Sequence, residues 1–68
     1  MIVKLMRKDG FALIDNVVRV TWKMNGEERN KQYLCVESKE DNLRKEINLA
    51  DFPRIYILND EGNTIESF

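Results

Sequence analysis

Nucleophilic catalysis in this chain would have to be drawn from two serines, Ser38 and Ser67, and one cysteine, Cys35, with no histidine anywhere to take up their protons. Acyl transfer through such groups needs an adjacent base. Cys35 stands between Leu34 and Val36 in a stretch that reads as a strand, where a lone thiol behaves as a small buried hydrophobe. The carboxylates come as neighbours, Glu27-Glu28, Glu40-Asp41 and Asp60-Glu61, in or beside turns. Adjacent residues of a strand point to opposite faces, so none of these pairs makes an acid–base dyad. Asp60, Glu61 and Asn63 do not follow the spacing of a calcium loop. A single cysteine without histidine excludes a disulfide framework and an ordinary zinc set, and no glycine-rich phosphate loop is present. The expectation is a non-catalytic protein with no cofactor and no metal.

Binding has better candidates. Trp22 lies close to a predicted hairpin tip at Asn25-Gly26, and the expected strand register sets it on one face with Arg29, Lys31 and Tyr33. Trp, Tyr and Arg are the residue types that anchor protein interfaces. The same ring beside two cations would also stack a base and neutralise its phosphate. A third reading has Trp22 covering the open end of the core with Arg29 packed over it. A protein partner, or a second copy of the chain, is the leading expectation; a nucleotide, cyclic nucleotide or single-stranded nucleic acid is the alternative.

The elements that would hold these residues are strands. Three glycines, in Asp9-Gly10, Asn25-Gly26 and Glu61-Gly62, punctuate stretches rich in β-branched and aromatic residues. Read as a two-residue type I′ turn, Asn25-Gly26 pairs Met24 with Glu27, Trp22 with Arg29, Val20 with Lys31 and Val18 with Tyr33. Residues 2–8 and 11–14 form a second hairpin through Asp9-Gly10, with a bend or bulge at Asp15-Asn16. Residues 54–58 and 64–68 form a third, across a loop that suits a left-handed glycine.

Residues 38–52 carry both patterns. Ser38-Lys39-Glu40-Asp41 resembles a helix-capping box, and Leu43, Ile47 and Ala50 fall at helical spacing. Leu43, Lys45, Ile47 and Leu49 alternate as a strand does, and Pro53 ends any helix. The strand context on both sides favours a strand from about Arg44 to Leu49 followed by a tight turn, with a short helix at 39–48 as the alternative. The expected fold is all-β, a single small domain over 1–68: an antiparallel rolled sheet or partly open barrel of five or six strands, in the manner of SH3-like or Sm-like architectures.

Composition sets the bounds. Sixty-eight residues with net charge −1 and 34% charged side chains make one small globular domain. No apolar run approaches the ~18 residues of a membrane span, and the start, Met-Ile-Val-Lys-Leu-Met-Arg-Lys, reaches charge too soon for a signal peptide. A cytoplasmic, non-membrane protein is expected. A chain this short buries a small share of its surface and lacks a disulfide or metal to compensate, which favours a homo-oligomer, including a purely structural one. Residues 1–36 carry a net charge of +3 and residues 37–68 one of −4. An overall pI near 5.4 disfavours duplex nucleic acid as partner. In size, charge and glycine-punctuated layout the chain resembles accessory proteins of bacteriophages and mobile elements, anti-defence factors among them.

Overall fold

The computed structural model describes residues 1–40 and 43–68. Among them are seven strands: β1 (Ile2–Arg7), β2 (Gly10–Ile14), β3 (Val17–Met24), β4 (Gln32–Ser38), β5 (Arg44–Asn48), β6 (Arg54–Leu58) and β7 (Thr64–Ser67). They form two antiparallel sheets, one ordered β2-β1-β6-β7 and the other β3-β4-β5. The all-β class expected from the sequence holds. The strand number is seven instead of five or six, and the single rolled sheet is divided in two.

Alternation along each strand builds the core. Val3 and Leu5 of β1 pair with Ile57 and Ile55 of β6, so these four share one face. Leu34 and Val36 of β4 share a face with Ile47 of β5. The two faces meet with Val17 and Leu49 between them, and all of these side chains are buried. Asn16 divides the sheets. It adopts a positive φ of 56°, a conformation asparagine tolerates better than most residues, and the chain passes there from β2 into β3. The bend expected at Asp15-Asn16 is this residue, and a bulge follows between Val17 and Arg19. Val17 N–H still donates to the Met1 carbonyl at 3.0 Å, which ties the start of β3 to the β1 side.

The turn at Asn25-Gly26 is a correction. A type I′ turn needs positive φ at both central residues, and neither Asn25 nor Gly26 has it. The strands are instead joined by a longer loop that contains a 3-10 turn at Arg29–Lys31 and is closed by the Asn25 N–H donating to the Lys31 carbonyl at 2.8 Å. Pairing runs Met24 with Gln32, Trp22 with Leu34 and Val20 with Val36. The offset from the expected register is odd, so every β4 side chain changes face. Burial explains the outcome. The observed register puts Leu34 and Val36 on the inner side with Val20, where the expected one would have put Tyr33 and Lys31. Sealing a Leu and a Val is worth ~1.5–3 kcal/mol each, more than a turn preference supplies.

Residues 44–48 are strand, not the alternative helix, and Leu49–Asp51 form the tight turn, capped by Asn48 Oδ1 accepting from Ala50 N–H at 2.8 Å. Of the capping-box residues, Ser38 Oγ accepts from the Glu40 N–H at 3.3 Å, while Asp41 lies outside the described residues. In the β6–β7 loop, Gly62 holds the expected left-handed conformation at φ 86°, and Asn59 Oδ1 accepts from the N–H groups of Glu61 and Asn63.

Candidate functional site

Trp22 occupies the edge strand β3 on the side that, further back, faces the core. Near its end the strand outruns its cover, and the indole is 51% exposed. Its ring meets Phe68 at 5.6 Å between centroids, tilted by 58°. Phe68 is held by paired backbone bonds with Ile55, of 2.8 and 3.0 Å. The indole N–H donates to Gln32 Oε1 at 3.3 Å, and the Gln32 amide donates to the Glu27 carbonyl at 2.8 Å. Met24, two residues further along the same face, is also exposed. Trp22, Met24 and Phe68 thus make an apolar knob where an edge of one sheet reaches the last residue of the other.

The four residues expected to share a face do not assemble. Arg29 turns inward to the neighbouring turn, donating through Nη2 to the carbonyls of Leu49 at 2.9 Å and Phe52 at 2.8 Å. It neither packs over Trp22 nor stands free beside it. Lys31 faces Glu28 at 3.9 Å in an exposed pair, which adds little to stability. Tyr33 pairs with Lys23, one residue from the Trp22–Leu34 pair, and so lies on the opposite face of the sheet. The structure leaves Trp22 with Gln32, Met24 and Phe68. Register alone hid Gln32, and nothing local to Trp22 signals Phe68.

The outer face around Tyr33 is polar. Cys35 is buried, yet it belongs to this face, paired with Thr21 and Glu46. The Arg44 guanidinium covers it, with Nε donating to Sγ at 3.0 Å and lying 4.0 Å from Glu37. The bond to Cys35, then the charges of Cys35 and Glu37, raise the Arg44 pKa above its ordinary value. The Arg44 guanidinium is therefore lost only in strong alkali. Among the described residues no three His, Cys, Asp or Glu side chains converge to hold a metal ion. No helix among them is long and apolar enough to cross a membrane. Comparison with protein-family models, curated proteins and solved structures finds no match.

Proposed function

We propose that this protein is a non-catalytic protein-interaction module that uses Trp22, flanked by Met24 and Phe68, as its anchor. One observation carries the reading: a large aromatic ring is held by Phe68 and Gln32 while half of its surface stays open. A ring fixed in advance loses little freedom on binding, which is what makes tryptophan effective at the centre of an interface. Nucleotide stacking has less support, because Arg29 is engaged with two backbone carbonyls and Tyr33 lies on the other face. A phage or mobile-element accessory role suits the size and layout of the chain.

Trp22 is the sole tryptophan, so its fluorescence reports directly on this surface. Proteins crosslinked through a photoreactive residue at Met24 give candidate partners, and titration with a purified partner should shift the indole emission to the blue. Trp22→Ala, followed by calorimetry because it removes the indole, should weaken that binding by about 2 kcal/mol or more, with the sheet-type circular dichroism intact. Unchanged affinity in the folded variant, or binding that falls steeply with salt as phosphate contacts require, would overturn the reading.

A further inference from the structure

Each sheet has two edges, and an exposed edge is a template for pairing unless charge, a bulge or proline blunts it. Edge strand β5 carries Arg44, Lys45 and Glu46. Edge strand β3 carries Arg19, Lys23 and a bulge, and β7 carries Glu66 and a register shift against β6. Edge strand β2 has none of these defences. Gly10-Phe11-Ala12-Leu13-Ile14 is uncharged and follows β1 without a shift, and Phe11 and Leu13 are 56% and 48% exposed.

We propose that β2 pairs antiparallel with β2 of a second copy across a two-fold axis at Ala12, joining two four-stranded sheets into one of eight. Arg7 pairs with Gly10 across the two-residue turn. Alternation of the ladder from that closing pair aims the N–H and C=O of Phe11 and Leu13 away from β1. Among the described residues none of these groups bonds to the backbone elsewhere. Two-fold pairing about Ala12 sets Phe11 of each copy opposite Leu13 of the other. Four backbone hydrogen bonds then form, and two apolar cross-strand pairs share one face. The same register sets Asp9 opposite Asp15 of the other copy, twice, with Arg7 and Lys8 of the same turn to offset these like charges. A groove of about 540 Å³ lies between Leu13 and Ile14 of β2 and Arg44 and Lys45 of β5. The inference is independent of Trp22, which lies on another edge.

Sedimentation or light scattering on the full chain, over a range up to millimolar concentration, should show a reversible monomer–dimer equilibrium. Leu13→Glu places a carboxylate opposite Lys4 within the chain, so the monomer keeps its fold. It should raise the dimer Kd by about tenfold or more, since the charge enters the interface twice. Trp22→Ala should leave the dimer unchanged. In a Cys35→Ala background, Ala12→Cys should oxidise to a covalent dimer, because residues on the axis face each other at disulfide distance. A chain monomeric at every concentration, a dimer indifferent to Leu13→Glu, or open polymers would each overturn the proposal. So would capture of an extended peptide from another protein by a β2 edge that stays free in the isolated chain.

Discussion

The two sheets approach each other along two seams, and the seams are finished differently. Where β3 nears the end of β7, Trp22 leans on Phe68 and the backbone of Phe68 is locked to Ile55. Where β2 nears β5, the strands border a groove, and Arg7 lies 6.0 Å from the Phe52 ring centroid on the same side. One seam is filled by side chains from both sheets, and at the other, among the described residues, the N–H and C=O of Phe11 and Leu13 bond to no backbone elsewhere. The difference separates two kinds of surface, a half-exposed indole already braced by Phe68 and a bare strand edge.

Breaking the filled seam should cost most. Phe68→Ala is expected to lose about 2–3 kcal/mol by chemical denaturation, from a partly buried ring and its aromatic contact. Leu13→Ala on the open seam should stay within about 0.5 kcal/mol, and equal losses would erase the distinction. Next comes Arg29, which braces the loop between β3 and β4. Arg29→Lys should cost about 1–2 kcal/mol, because the shorter lysine stem brings its ammonium short of the place from which Nη2 reaches both carbonyls. Trp22→Ala should destabilise by about 1 kcal/mol, and a loss as large as that of Phe68 would mean that the indole is core rather than contact surface. The smallest effects compare two glycines. Gly62→Ala should cost about 1 kcal/mol for its left-handed φ. Gly26→Ala should cost about 0.5 kcal/mol or less, because φ there is not positive and the 2.7 Å approach is to Lys31 Cδ, on a flexible chain. A larger loss at Gly26 would restore the type I′ turn.

The sequence shows the strands more clearly than their partners. Each strand overlaps a stretch legible from alternation and glycine punctuation, β5 included, whereas residues 27–31, expected as strand, form a loop with a 3-10 turn. Register was not legible at Asn25-Gly26. The local turn preference there competes with burial of Leu34 and Val36, and that burial depends on which face the distant β1 and β6 will cover. The site followed the register. Trp22 was found by its type, but its true neighbour Phe68 joins it only once β6 and β7 are assembled. The run Phe11–Ile14 is legible as a strand, and its lack of charge becomes meaningful only when the topology places it at an edge.

Strand β1 lies between β2, its nearest neighbour in the chain, and β6, which begins at Arg54. During synthesis the β1–β2 hairpin forms early and waits, with one flank of Val3 and Leu5 unshielded, until β6 has emerged. Closure over so long a separation is slow relative to local hairpin formation. A nascent or truncated chain ending before Arg54 therefore presents adhesive flanks on both sides of one ribbon, and such fragments should aggregate more readily than the finished protein.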